Sequence, residues 1–183
     1  MKKFIPIVAL MSLITFSFTS ADSNHNSATL SIYREHTSLD FECLALNIYH
    51  EARNESFAGQ VAVADVTLNR VYDTRYPNTI CEVVHQAVLS AWHLERGIEM
   101  PVRDKCQFSW FCDGKSDEPR DGDSWDNARQ ISFNFLTYGE FRGITEGATH
   151  YHATYVHPDW TNDKGMHMVG SIGEHIFYRW NQK

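Results

Sequence analysis

The sequence predicts an α+β fold, predominantly helical, with a small antiparallel β-sheet near the C-terminus. Three observations carry this expectation. Residues 57–71 place Phe57, Val61, Ala64, Leu68 and Val71 at offsets 0, 4, 7, 11 and 14, the spacing of one helical face. Just before them, Leu44, Ile48, Glu51 and Glu55 fall at 0, 4, 7 and 11, a second helical stripe whose last two members are carboxylates. From Ala148 the period shortens toward two. ATHYHATYVHPDW alternates small, polar and aromatic residues, and MHMVGSIGEHIFYRW reads as two short strands around Gly170-Ser171-Ile172-Gly173, a hairpin.

The start of the chain has the make-up of a secretory signal over residues 1–21. Lys2 and Lys3 precede an apolar run from Phe4 to Phe18, and Thr19-Ser20-Ala21 supplies a small-x-small cleavage pattern. The run is about 15 residues, short of the roughly 20 needed to span a bilayer. The expected location is periplasmic or secreted, with membrane attachment only if this segment stays uncleaved. Removing it leaves 14 Lys+Arg against 23 Asp+Glu, a formal charge of −9. Such a balance does not suit nucleic acid, which calls for a basic surface. The remainder is enough for one compact domain and not two, and a monomer is expected.

Residues 22–37 are rich in Ser, Asn, Thr and His without periodicity and read as a flexible lead-in. Residues 38–183 form the expected single catalytic domain. Ser38 is the expected cap of the first helix, with Asp40 and Glu42 in its first turn, and the helix runs to about Arg53. Ser56 caps the second helix, from whose apolar stripe Asp65, Asn69 and Arg70 diverge. Thr79 and Glu82 form a capping box for a short third helix. Residues 85–105 have helical composition broken by Gly97 and Pro101 and read as a helix and a loop. CQFSWFCDG follows at 106–114, then a polar loop at 113–123. Another helix begins at Asp123 or Ser124, with Trp125, Ala128, Ile131 and Phe135 at helical spacing and Gly139 and Gly143 ending it. The four cysteines, Cys43, Cys81, Cys106 and Cys112, read as two disulfides in an exported chain. Of three connectivities, Cys106–Cys112 and Cys43–Cys81 is favoured. The absence of any C-x-x-C argues against a zinc cluster.

Glu51 is the first candidate for chemistry. A carboxylate that continues an apolar stripe points into the core or a cleft, which is costly unless the site uses it. Burial there raises its pKa, the property a general acid needs near neutral pH. The competing role is a buried ion pair with Arg53 or Arg70. Glu55, four residues on, would lie about 6 Å away on a helix. That is near the separations of glycosidase carboxylate pairs, but any such acidic pair gives it. The bland role for Glu55 is to accept backbone N–H bonds at the start of the second helix.

His50-Glu51 lacks the second histidine of H-E-x-x-H, since Asn54 stands there. His150 and His152, an H-x-H on one strand face, keep open a zinc-dependent amidase or peptidase; otherwise they line a groove and bond sugar hydroxyls. His157, His167 and His175 are the remaining histidines of this region. Gln107, Ser109, Trp110 and Asp113 sit in a loop that a disulfide would stiffen, a suitable surface for saccharide. A non-catalytic binding module is the third alternative. No phosphate loop, nucleotide fingerprint or G-x-S-x-G elbow is present. No cofactor and no metal are expected.

The segments NIYHEARNESFAGQVAVADVTLNRV, YPNTICEVVHQ, CQFSWFCDG, GATHYHATYVHPDW and IGEHIFYR, in this order, resemble the SleB-type cell wall hydrolases, the spore cortex-lytic enzymes and their relatives. Asn54 stands where the family pattern Y-x-E-A-R-G-E has Gly, and residues 87–105 are longer than the resemblance leads one to expect. The resemblance implies a lysozyme-like catalytic domain acting on peptidoglycan glycan strands. It implies Glu51 as catalytic acid/base in a lytic transglycosylase that cleaves between N-acetylmuramic acid and N-acetylglucosamine and leaves a 1,6-anhydro product. Glu55 would support it, and Gln107, Ser109, His150, Tyr151 and His152 would line the substrate groove.

Overall fold

A computed structural model describes residues 36–120 and 122–181. The leader expected at 1–21 and the lead-in at 22–37, apart from His36 and Thr37, lie outside the described residues. Helix α1 (Ser38–Ala52) is capped by Thr37, one residue earlier than the expected Ser38. Thr37 accepts from the Asp40 N–H and Asp40 accepts from the Thr37 N–H, a reciprocal box that Ser38 could not make. The helix stops at Ala52, so Glu55 is not on its face. It lies in the turn to α2 (Phe57–Tyr72), which Ser56 caps through the Gly59 N–H.

Helix α2 is the centre of the molecule. From Gly59 to Val71 every residue except Asn69 is buried, not only the expected stripe. Its Ala, Val and Gly side chains let neighbours close in from several sides. One side packs with α1, α3 (Ile80–Val84) and, through the core, Ile131 and Phe135 of α5 (Gly122–Tyr138). Another side, at Ala62 and Val66, meets Phe177 of the sheet. Of the residues that diverge from the stripe, Asp65 and Arg70 are buried too and Asn69 is half-buried. Asp65 accepts from the N–H groups of Gly143 and Thr145 (both 3.0 Å), from the Thr145 hydroxyl (2.6 Å) and from the Arg142 guanidinium. It thereby pins the loop between α5 and the sheet. Asn69 donates to the Ala148 carbonyl at 2.9 Å in the same loop.

The C-terminal sheet is antiparallel, in the order β3 (His150–Ala153), β5 (His175–Trp180), β4 (Met166–Ile172). Tyr151 pairs with Phe177 and Ala153 with His175, so these residues share the face toward α2. The β4–β5 turn is tighter than expected, falling at Gly173-Glu174. Residues 85–105 differ from the expected helix and loop. They form a hairpin of β1 (Ala87–Leu89) and β2 (Pro101–Cys106) carrying one short helical turn, α4 (Ala91–Leu94). Val88, Trp92, Leu94, Ile98 and Met100 are exposed, so no buried face imposes a period that the sequence could display. Disulfides join Cys43 to Cys81, tying α1 to α3, and Cys106 to Cys112, closing the loop after β2.

Candidate active site

Glu51 sits in the last turn of α1, partly buried, with its Oε2 accepting the Tyr151 hydroxyl at 2.8 Å. Its pKa is raised. Burial is the main cause, partly offset by the Tyr151 hydrogen bond and by the positive charge of Arg70. Arg70 is buried beneath the site. Its Nε–H donates to the Thr149 carbonyl at 2.8 Å and its guanidinium lies over the rings of Tyr76 and Phe108. Its Nη1 makes no hydrogen bond. Burial and the Glu51 charge hold the Tyr151 phenol well above its ordinary pKa, so it is a neutral donor.

Two depressions meet at Glu51, sharing His50 and Arg53, and together they form one groove. On one side lie Ser109, Trp110, Asp113, Lys115, Ser116, Glu118 and Arg120. This wall is held from inside. The Trp110 indole N–H donates to Asn47 at 3.1 Å, and Asn47 donates to Thr67 at 3.0 Å, both in the helical core. The His50 ring stacks on Trp110 with centroids 4.5 Å apart, and its Nε2 lies 2.9 Å from the Asp117 carbonyl, to which it donates. On the other side lie Asn54, Glu55, Ala153, Tyr155, Glu174 and His175. Tyr155 is exposed there, a ring on which a sugar could stack.

The sequence-derived site residues divide accordingly. Glu51 and Ser109 line the groove, whereas Tyr151, expected there too, lines neither depression and holds the Glu51 carboxyl from within the protein. Glu55 borders the groove, and its carboxylate accepts from the Glu174 N–H at 3.1 Å at the β4–β5 turn. Gln107 is exposed and lines neither depression. His150 and His152 share the opposite face of β3 from Tyr151, because neighbouring strand residues alternate. His152 lies against Tyr178 and Trp160, and His150 against Trp160 and Trp180. His152 Nδ1 donates to the Ala153 carbonyl at 2.9 Å, leaving Nε2 to accept the Tyr178 hydroxyl at 3.1 Å. Both nitrogens are therefore engaged within the protein. The pKa of His150 is lowered to about 4, by burial first and then by Arg70 and Arg75. Among the described residues, no group of three His, Cys, Asp or Glu side chains is placed to hold a metal ion. Sequence reasoning passed over His175. The signal was available: in a strand whose Phe177 points inward, His175 two residues earlier faces the same way.

A family model described as Cell Wall Hydrolase matches residues 54–178, more than half of the chain. This chain belongs to the Cell Wall Hydrolase family. The matched span takes in Glu55, Tyr151 and His175 and begins just after Glu51. Among relatives, the spore cortex-lytic enzyme of Bacillus cereus is 45% identical over 47 residues, 26% of this chain and 18% of that protein. Its counterpart in Oceanobacillus iheyensis is 31% identical over 70 residues, 38% of this chain and 25% of that protein. The matched segments thus span a quarter or less of these relatives. Two solved structures share the fold of this family member. The catalytic domain of Bacillus cereus SleB has a TM-score of 0.52 at 22% identity, covering 80% of this chain and 94% of that one. The catalytic domain of the germination-specific lytic transglycosylase SleB from Bacillus anthracis has a TM-score of 0.50 at 24% identity, covering 80% and 98%. The fold is the mixed helix–sheet, lysozyme-like one expected from the sequence.

Proposed function

We propose that this protein is a peptidoglycan lytic transglycosylase that cleaves glycan strands between N-acetylmuramic acid and N-acetylglucosamine, with Glu51 as its catalytic acid. The observation that carries this reading is the Glu51 carboxyl itself, its pKa raised by burial while it stands at the junction of two halves of a groove. The Tyr151 hydroxyl occupies Oε2, so the acid proton resides on Oε1. That proton goes to the glycosidic oxygen as the anomeric C–O bond breaks. The muramic C6 hydroxyl then attacks the anomeric carbon and yields its proton to a base in the groove. Glu51, ionised by the first step, is one such base, so a single carboxyl suffices. Ser109, Trp110 and Tyr155 would hold sugar along the groove, and Glu55 would support the acid.

The reading also assigns residues 1–21 as an export signal, 22–37 as a lead-in and 38–183 as the catalytic domain, acting as a monomer on wall outside the cytoplasm. Among the described residues no helix is long and apolar enough to cross a membrane.

Glu51→Gln should keep the fold and abolish release of soluble muropeptides from purified wall, while a chelator leaves the parent enzyme active. Mass spectrometry should find products one water lighter than hydrolysed ends. A Glu51→Gln variant that digests wall as well as the parent overturns the assignment.

A further inference from the structure

The groove holds a second group able to take a proton. His175 is the buried first residue of β5, and its side chain lines the same depression as Glu51 and Glu55. Its Nδ1 is sealed from solvent and makes no hydrogen bond. The nearest carboxylate to that nitrogen is Glu55, with Oε1 at 4.0 Å. Closing by about 1 Å would make an N–H···O bond of ordinary length.

Glu55 is itself fixed. Its Oε2 accepts the Glu174 N–H, and two glycines leave room for it. A Cβ on Gly59 would come within 2.9 Å of the Glu55 Cβ, and one on Gly173 within 2.2 Å of Oε2. Within the protein, the Tyr151 ring, whose hydroxyl holds Glu51, lies edge-on to His175 with centroids 5.0 Å apart.

Building on the reading of Glu51 as the acid, we propose that His175, oriented by Glu55, is the residue that receives the proton of the attacking hydroxyl. A carboxylate facing Nδ1 favours the tautomer with hydrogen on Nδ1, which leaves the Nε2 lone pair for the groove. The balance is complete. Glu51 gives its proton to the leaving oxygen, which departs with the bonding electron pair. The attacking oxygen forms the new bond to the anomeric carbon and passes its proton to Nε2. Glu51 ends ionised and His175 protonated, and proton exchange with solvent resets both. The groups facing His175 suit this role. Burial lowers its pKa, with His152 acting in the same direction, while Glu55 and Glu174 raise it, so the ring is neutral near pH 7. Tyr151 and Glu51 complete its surroundings.

The test combines kinetics with a measurement on the unaltered protein. In His175→Asn, kcat on purified peptidoglycan strands should fall about 100-fold or more, the usual worth of a general base. KM should change less than threefold, and the acidic limb of the pH–rate profile should disappear. Glu55→Gln should move that limb to lower pH, because the imidazolium loses its nearby negative charge. If either variant fails to fold, ¹⁵N NMR of the parent protein decides: hydrogen on Nδ1 and a bare Nε2 support the assignment, and the reverse overturns it. A His175→Asn enzyme with near-parent kcat overturns it as well. If Glu51→Gln is inactive while His175→Asn is active, only the role of His175 falls. If Glu51→Gln is active, the reading of Glu51 falls first.

Discussion

Tyr151 links two opposing influences on one carboxyl. Burial favours the protonated form of Glu51, and the phenol hydrogen bond favours the ionised form. Tyr151→Phe keeps the ring against Phe177 and His175 but removes the hydrogen bond. The Glu51 pKa should then rise further. If Glu51 is the acid proposed above, it must be protonated to act, so activity should persist to higher pH, shifting the basic limb of the pH–rate profile upward. A limb that stays in place or moves down would contradict the hydrogen bond's assigned effect. At this scale the sequence was partly legible. Glu51 stood out because it interrupts an apolar stripe. Arg70 was legible only as one of two possible partners for Glu51, because the stripe reading assumes one buried face, and α2 is surrounded. The separation of His150 and His152 from Tyr151 was implicit in strand alternation, which forbids all three from lining one groove.

At the scale of elements, the α1–α2 junction and the β4–β5 turn depend on each other. Gly173 has φ +58° and sits against Glu55. Gly173→Ala should cost on the order of 1–3 kcal/mol, combining left-handed backbone strain with displacement of the carboxylate. Gly139→Ala is the matched control. Gly139 has φ +67° with nothing within 4 Å of a Cβ, so only the backbone cost applies. Thermal melts should rank Gly173→Ala as the more destabilised, and wall lysis should fall in that variant alone. The sequence pointed to helix periods and the C-terminal hairpin because those segments bury one face. It also placed the end of the first helix at about Arg53, one residue from where it stops, but the spacing that fits Glu55 to the same stripe could not show where that carboxylate goes. The contact that settles its position comes from the β4–β5 turn, 119 residues away. The β1–β2 arm was illegible for a related reason: its apolar residues contact solvent, and exposed residues carry no period.

For the whole molecule, the two disulfides serve different ends. Cys43–Cys81 closes 38 residues across the helical core, and replacing both cysteines with Ser should cost about 4 kcal/mol by loop entropy. Cys106–Cys112 closes only 6, worth about 2 kcal/mol by the same reasoning, but it frames the turn that carries Trp110. Denaturant melts should show the larger loss for the first pair. Assays at a temperature where both variants stay folded should show the larger loss of wall lysis for the second. The even cysteine count and export-like leader made pairing legible. The wall around Trp110 was not, because it depends on Asn47 and Thr67, polar residues that look like helix surface until the fold surrounds them.

The central strand of the sheet is the one that comes last in sequence. β5 lies between β3 and β4, so neither outer strand has its ladder partner until residues 175–180 are in place. Those residues also carry His175 and the Phe177 ring that backs Tyr151. A chain emerging from the ribosome can therefore form its helices early while its groove stays open along one side. Deleting β5 would therefore take away the middle of the sheet and the ring behind Tyr151 while leaving Glu51 and its helix untouched.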